Sequence, residues 1–250
     1  MSRHFSKIGV WLFVLAVAWY LAANFMLKNV EKEQASHVKS THVAKQLADI
    51  GNHDRAVIRT VDADMRGVQF DLVFDPGAKQ ATVINENVGL AVSTQFIDGV
   101  FNIGIGKEVA ARDIYSGGRT TIRLPATVSK VEISGVNSVQ VSGSLPAPSA
   151  ELTLEFRNGV ALVTIFDLLV NRLKLASACP NESNENQCSP GFSISGQLRV
   201  GTLEVAMQRG SLNHSGIGVP QETLLDIGSD VVITGRRDFL QSFRFGSGTR

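Results

Sequence analysis

The chain has 250 residues, a formal net charge of +1 and 19% charged residues. A chain of this length can form a membrane anchor and one or two modest domains with their own cores. Its ordinary glycine and charge content excludes collagen-like, disordered and coiled-coil proteins. Because the net charge is near zero, no field concentrates nucleic acid on the protein, and we expect no nucleic-acid partner.

Residues 8–27 form an apolar segment that predicts a transmembrane helix. They include no charged side chain, and at 1.5 Å per residue they reach about 30 Å, the thickness of a bilayer core. Arg3 and Lys7 precede the segment, whereas the charges that follow it nearly cancel. By the positive-inside bias, residues 1–7 are cytoplasmic and the rest of the chain is exported. A cleaved signal peptide is the alternative, and it would export the same residues.

The segment after the anchor is charged and lacks glycine and proline as far as Ile50. It places Val43, Leu47 and Ile50 at helical spacing, so we expect a juxtamembrane helix or stalk over residues 28–52. Residues 53–67 are expected to form a linker to the main domain.

From Val68 the pattern changes to an alternation of apolar and polar residues, which is typical of strands. The alternating runs and the turn signals between them are 68–74, Asp75-Pro76-Gly77, 81–84, 89–92, Asp98-Gly99 and 101–105. Turn residues of this kind join neighbouring strands tightly. We therefore expect an antiparallel β segment here, followed by a loop over residues 107–118.

Short apolar segments recur at a fixed interval from Thr120 onward. Val131, Leu152 and Leu173 follow one another in equal steps of about 21 residues, a length typical of one repeat unit. The same interval separates Ile133 from Leu154, Leu154 from Leu175, Val139 from Val160, Val141 from Leu162, Leu203 from Leu224, and Leu212 from Ile233. A repeat of this length, built from alternating segments, predicts the stacked rungs of a β-solenoid. The alternative is a β-sandwich with evenly spaced strands, which has no reason to repeat one interval.

The chain has two cysteines, Cys179 and Cys188, which flank a polar loop rich in Asn and Glu. In an oxidising compartment we predict that they form a disulfide, worth about 2–3 kcal/mol in the chain-entropy model. The alternatives are a reduced pair and a two-ligand metal site, for which there is no CxxC pattern or nearby histidine. Because this segment lengthens the interval between rungs, we expect it to bulge from one corner.

No arrangement of residues identifies a reaction, so we expect a non-enzymatic protein with no catalytic residue, cofactor or metal. With a constant rung length, Glu132 would stack near Thr153, and the acidic side chains would form no column that could supply paired carboxylates. His214 is expected to lie exposed at a corner and gives only weak evidence for catalysis. Arg236 and the phenylalanines after it, beginning with Phe239, are expected to cap the last rung.

Four features of the chain beyond residue 67 occur together. They are the strand Val68 to Phe74, the turn Asn85-Glu86-Asn87-Val88, the segment Phe96 to Ile103, and Val131-Glu132-Ile133-Ser134-Gly135 followed by the Ser-Gly pairs at 142–143, 195–196 and 215–216. In this combination the chain resembles the head GIN domain, a bacterial family named for an autotransporter adhesin head. The resemblance covers about residues 68–240, leaves 241–250 as a tail, and implies an exported, right-handed parallel β-helix without enzymatic activity.

The anchor and the resemblance together define the function that we expect. The chain would be a single-pass protein of the bacterial inner membrane, held in the lipid bilayer by residues 8–27, with its C-terminal domain in the periplasm. That domain would be a binding or structural module of the cell envelope, adhesin-like, with an envelope glycan or protein as partner. The alternatives are an enzyme that acts on envelope polysaccharide and a self-assembling, homo-oligomeric scaffold.

Overall fold

The computed structural model describes residues 44–48, 54–60, 69–86, 90–98, 100–107, 119–147, 149–157, 159–178 and 189–245. The chain divides into two units, Met1–His42 and Val43–Arg250, and every described residue belongs to the second. The predicted anchor, the 107–118 loop beyond Lys107 and both cysteines therefore lie outside the described residues. Within these ranges no helix is long and apolar enough to cross a bilayer.

The described part of the chain is mainly β, as predicted, with fourteen strands in one sheet and one short helix. The strands are β1 (Ala44–Ala48), β2 (Arg55–Thr60), β3 (Gln69–Asp75), β4 (Ala81–Asn85), β5 (Leu90–Ile97), β6 (Val100–Lys107), β7 (Thr120–Pro125), β8 (Lys130–Ser134), β9 (Ser138–Ser144), β10 (Glu151–Phe156), β11 (Leu162–Ser177), β12 (Gly191–His214), β13 (Glu222–Gly235) and β14 (Phe243–Phe245). The helix is α1 (Arg237–Gln241).

Most strands lie in two parallel stacks, which the chain visits alternately. A third, shorter stack contains residues 143–144 of β9, 168–170 of β11 and 198–200 of β12. The first stack contains β6, β2, β8, β10, residues 172–177 of β11, 202–207 of β12, 222–227 of β13, and β14. The second stack contains β7, β3, β9, residues 162–166 of β11, 191–195 and 209–214 of β12, and 230–235 of β13. Because β11, β12 and β13 each contribute to both stacks, every turn of the chain places new strands beside those of the turn before.

The predicted constant interval is confirmed in some rungs and wrong in others. Leu152 pairs with Leu173 at the predicted spacing, and so does Leu212 with Ile233. Val131, however, pairs with Leu154, which lies two positions beyond the expected Leu152. The other exceptions are Ile133, which pairs with Phe156, Val139, which pairs with Val163, Val141, which pairs with Ile165, and Leu203, which pairs with Thr223. Corners of different length account for the variation. Where the length differs by an odd number of residues, the inward side chains change as well: Ile165 is buried, whereas Leu162 is 45% exposed.

Apolar side chains still stack in vertical register through the first stack. Its central column consists of Phe101, Ala56, Val131, Leu154, Leu175, Val205 and Leu225, which are successive pairing partners and at most 3% exposed. The second stack has a matching column of Phe70, Val139, Val163 and Phe192. Fully burying each such side chain contributes roughly 1.5–3 kcal/mol, and only stacking provides that burial.

Three of the predicted boundaries are wrong. Residues 44–48, expected within a helix, form β1 and pair antiparallel with β4. Residues 55–60, expected within a linker, form β2 between β6 and β8. Residues 243–245 of the expected tail form β14, which pairs with β13. In each case pairing with a neighbouring strand overrides a weak local pattern.

The antiparallel segment exists, but it is interleaved with the parallel stacks. β4 pairs antiparallel with β7, and β5 pairs antiparallel with β6. The β5–β6 pair closes at Ile97 and Val100, as the Asp98-Gly99 turn signal predicts. β2 pairs in parallel with both β6 and β8, and β3 pairs in parallel with both β7 and β9. The antiparallel pairs are thereby joined to the two stacks.

The rung that contains the two cysteines is longer than its neighbours. The step along the chain from Leu173 to its pairing partner Leu203 exceeds the step from Leu152 to its partner Leu173. The longer step agrees with the predicted insertion at one corner.

The last rung ends in a cap, as predicted. Phe239 of α1 is fully buried and lies against Phe243 of β14, with ring centroids 5.0 Å apart. The expectation of an exposed His214 is wrong, because this residue is only 1% exposed and lies under the cap. A cap of this kind covers the apolar end of the stack and blunts its open edge.

Candidate functional site

Six charged side chains meet on the outer side of the first stack, and we call them the arginine cluster. They are Arg55 and Arg59 of β2, Lys130 and Glu132 of β8, Glu155 of β10, and Arg157 just after β10. Strand alternation explains their direction, because Ala56, Val131 and Leu154 occupy the inward positions between them.

Glu132 lies at the centre of the cluster. Its Oε2 atom is 3.3 Å from Arg55 Nη2 and 3.3 Å from Arg157 Nη2, and its Oε1 atom is 3.4 Å from Arg59 Nη2. The Glu132 side chain is 3% exposed, whereas those of Arg55, Arg59 and Arg157 are 41%, 60% and 45% exposed. A buried carboxylate therefore holds three guanidinium groups that still reach solvent.

Glu155 supports the cluster from the next rung. Its Oε1 atom accepts hydrogen bonds from Arg157 Nε at 3.1 Å and Nη2 at 2.8 Å, and its Oε2 atom is 3.6 Å from Lys130 Nζ. Burial raises the pKa of the Glu155 carboxyl, but the hydrogen bonds and charges of Arg157 and Lys130 more than offset this and hold it below its usual range. Glu155 is therefore ionised at neutral pH.

The expectation that the acidic side chains stay apart is wrong at this position. Glu132 pairs directly with Glu155, not with Thr153, because the interval between β8 and β10 is two positions longer than expected. Four cations against two carboxylates leave the cluster with a net charge of +2. Sequence reasoning missed the cluster because its members span three strands that are far apart in the chain.

A surface recess of about 330 Å³ adjoins the cluster, and we call it the first recess. Arg59 belongs to both features. Val57 lines the recess from β2, and the β5–β6 pair contributes Gln95, Ile97 and Asn102. Ile97 is 50% exposed, so the recess combines an apolar wall with amide side chains and one guanidinium.

No family model and no curated protein matches the chain. Among solved structures, the chain is similar to a putative cell adhesion protein from Clostridium sporogenes, with 9% sequence identity and a TM-score of 0.26. The alignment covers 77% of this chain and 93% of that chain. A likeness at this level carries no argument about function, which has to come from the site itself.

The arginine cluster is suited to bind an anion. Each guanidinium group has five N–H donors and matches carboxylate, sulfate and phosphate geometry. Glu132 holds the Nη2 atom of each group, so little further ordering is needed when an anion binds the donors that remain exposed. The described residues include no group of three His, Cys, Asp or Glu side chains that could hold a metal ion, and the predicted disulfide at Cys179 and Cys188 lies outside them.

Proposed function

We propose that the chain is a non-catalytic binding module of the bacterial cell envelope that recognises an anionic envelope glycan through the arginine cluster. In this proposal it is a right-handed parallel β-solenoid of the head GIN type, with an adhesin-like role. Residues 8–27 anchor it in the inner membrane, and the domain faces the periplasm. The observation that carries the proposal is the convergence of three half-exposed guanidinium groups on the buried carboxylate of Glu132.

The electrostatics of the cluster favour a polymer with repeated negative charges. Like charges at close range repel one another, and the Glu132 and Glu155 carboxylates leave two positive charges uncompensated. An anion bound between the arginines relieves this repulsion and gains charge-assisted hydrogen bonds. The rungs repeat every ~4.8 Å in the hydrogen-bonding direction, so an extended polymer can lie across several of them.

A non-catalytic role of the arginine cluster agrees with the state of its Glu155 carboxylate. A glycosidase needs one carboxyl group whose pKa is raised so that it can donate a proton. The pKa of Glu155 is shifted the opposite way by Arg157 and Lys130. We therefore expect that incubation of the protein with an acidic polysaccharide releases no new reducing ends.

The test uses the full chain in detergent and three immobilised polymers. They are polygalacturonate, which carries carboxylates, dextran sulfate, and uncharged dextran. We expect binding to the two charged polymers, weakening as salt rises because the contacts are electrostatic, and no binding to dextran. Equal binding to all three polymers would contradict the proposal.

Two variants that each remove one positive charge distinguish binding at the arginine cluster from a general effect of surface charge. Arg59→Gln should lower the affinity for polygalacturonate by about tenfold, since one charge-assisted contact is worth roughly 1.5 kcal/mol. Arg199→Gln removes an exposed guanidinium that bonds Gln197 on another part of the surface, and it should leave the affinity unchanged. The same loss in both variants would show that the cluster is not the binding site.

A further inference from the structure

A second recess lies on the outer side of the second stack, away from the arginine cluster. Its volume is about 380 Å³. The residues that matter to its chemistry are Asp71, Arg119, Gln140, Ser142, Phe166 and Asp167. Asp71 pairs with Gln140 on adjacent strands, and Phe166 and Asp167 come from the corner of β11 where the register shifts. We call this feature the second recess.

Phe166 gives the second recess a supported aromatic surface. The ring is 40% exposed although the residue lies in a continuous strand. It packs so closely over Gly196 that a Cβ atom there would come within 2.8 Å of a ring carbon. One side of the ring is therefore fixed against backbone, and the ring offers a flat apolar area that loses little conformational entropy on binding.

Asp167 lies at a corner of β11, and the neighbouring corners have glycine instead. Its φ is +49°, in the left-handed region, whereas the adjacent Ser-Gly corners use Gly143 at +111° and Gly196 at +68°. Glycine adopts such angles without strain, and aspartate is one of the few other residues that does so readily. The Oδ1 atom of Asp167 accepts the N–H of Gln197 at 2.6 Å, which fixes the direction of the carboxylate.

Asp71 and Arg119 form the opposite side of the recess. Asp71 is 7% exposed, and its Oδ2 atom lies 2.6 Å from Arg119 Nε. Among the described residues its Oδ1 atom is buried and has no hydrogen-bond partner. Burial raises the pKa of Asp71, and the charge of Arg119 opposes that rise. The pair holds the guanidinium of Arg119 at the rim, where its side chain is 56% exposed.

We infer that the second recess binds a neutral sugar residue, with the C–H face of the sugar ring on Phe166 and its hydroxyl groups bonded by Gln140, Asp167 and Arg119. A sugar ring is amphipathic in this way, since its C–H bonds form a flat apolar face and its hydroxyls both donate and accept. The recess offers the complement, namely one aromatic surface with carboxylate and amide acceptors and a guanidinium donor. Two carboxylates and one guanidinium give it a net charge of −1, which disfavours the anionic polymers that suit the arginine cluster.

The experiment titrates the full chain with neutral oligosaccharides in a detergent that carries no sugar headgroup. The probes are the hexamers of β-1,4-glucose, β-1,3-glucose and β-1,4-N-acetylglucosamine, followed by calorimetry up to about 20 mM, because a single sugar site is expected to have a Kd near the millimolar range. We expect saturable binding of at least one hexamer. Failure of all three to bind would overturn the inference.

Three variants test whether the hexamer binds in the second recess. Phe166→Ala should weaken the affinity for that hexamer by about tenfold or more, whereas Leu162→Ala, which removes another exposed side chain of the same strand, should not change it. Asp167→Gly restores the residue type of the neighbouring corners. Relief of the backbone strain at φ +49° should offset the lost hydrogen bond to Gln197, so we expect a melting temperature close to that of the wild type and a lower affinity. Unchanged affinity in both Phe166→Ala and Asp167→Gly would contradict the inference.

We expect that a substitution in one site leaves binding at the other site unchanged. Phe166→Ala should leave polygalacturonate binding as it is in the wild type, and Arg59→Gln should leave hexamer binding as it is. A loss of both activities in either variant would indicate one shared site and would overturn the assignment of the sugar to the second recess.

Discussion

The imidazole ring of His214 stacks on the phenyl ring of Phe239, with ring centroids 4.3 Å apart and an angle of 14° between the planes. The stack joins the end of β12 to helix α1, so it fastens the C-terminal cap to the last rung. The Nε2 atom of His214 lies 3.0 Å from the carbonyl oxygen of Gly218. Among the described residues the Nδ1 atom is buried without a partner, so a proton placed on it would be an unpaired buried donor.

Acid should loosen this cap. Burial lowers the pKa of His214 below its usual 6.5, and the Gly218 carbonyl only partly opposes the shift. The unfolded chain therefore binds the proton more readily than the folded one, so the stability contributed by neutral His214 is complete above pH 6.5 and declines as the pH falls below it. We expect the melting temperature to drop between pH 7 and about pH 5. In His214→Asn this part of the pH dependence should disappear; an unchanged pH profile would contradict the role assigned to the histidine.

Leu154 should be among the most sensitive positions of the core. It is fully buried and pairs with Val131 on one side and Leu175 on the other. Leu154→Ala leaves a cavity in this column and should lower the free energy of unfolding by about 3–4 kcal/mol, measured by urea denaturation. Thr153→Ala changes the adjacent outward position and should alter it by less than about 1 kcal/mol. Comparable losses in the two variants would refute the stacking assignment.

Gly143 should not tolerate a side chain. Its φ is +111°, and a Cβ atom would collide with the carbonyl oxygen of Phe74 on the neighbouring strand. Gly143→Ala should therefore lower the free energy of unfolding by about 2–3 kcal/mol. The control is Gly77→Ala in the exposed turn after β3, where the nearest atom to the new methyl group is Asp75 Oδ1 at 3.3 Å. That variant should remain within about 0.5 kcal/mol of the wild type.

Removal of the Glu132 charge should lower the stability of the protein modestly. Glu132→Gln keeps the shape of the side chain but leaves three guanidinium groups around a neutral amide. Because those groups are 41–60% exposed and can rehydrate, we expect a modest loss of about 1–2 kcal/mol, smaller at high salt. Glu151→Gln, at a side chain that is 64% exposed, should change the stability by less than about 0.5 kcal/mol. An equal effect of the two substitutions would mean that Glu132 does not organise the cluster.

The disulfide between Cys179 and Cys188 remains a prediction of the sequence, and so does the export of the domain. Denaturation without reductant, followed by alkylation and mass spectrometry, should leave both residues unlabelled. Reduction before alkylation should add two labels. Labelling of both thiols without reduction would place the domain in a reducing compartment and would count against export.

The register of the parallel stacks could be predicted from sequence only in part. Most inward residues were identified correctly, among them Leu152, Leu154 and Leu175, although Leu162 is 45% exposed. The predicted column of Val131, Leu152 and Leu173 was wrong, since Val131 pairs with Leu154. The pairing of β8 with β10 was wrong by two positions, because corner length does not follow from alternation. This small error had a large effect on the site, since it separated Glu132 from Glu155. The two recesses were not predicted at all, as their residues share no local pattern.

By itself, the sequence determined the class of structure. Alternating apolar and polar residues form the strands, and Ser-Gly pairs form several of the corners. Because the apolar segments recur at similar intervals, each strand is buried by packing against the equivalent strand of the next rung. It also determined most of the side chains that face inward, because within one strand that depends only on the two-residue period. The tertiary structure alone decided which outward side chains meet. Contacts across rungs depend on the exact length of each corner, and the arginines that surround Glu132 reach it only once β2, β8 and β10 are in register.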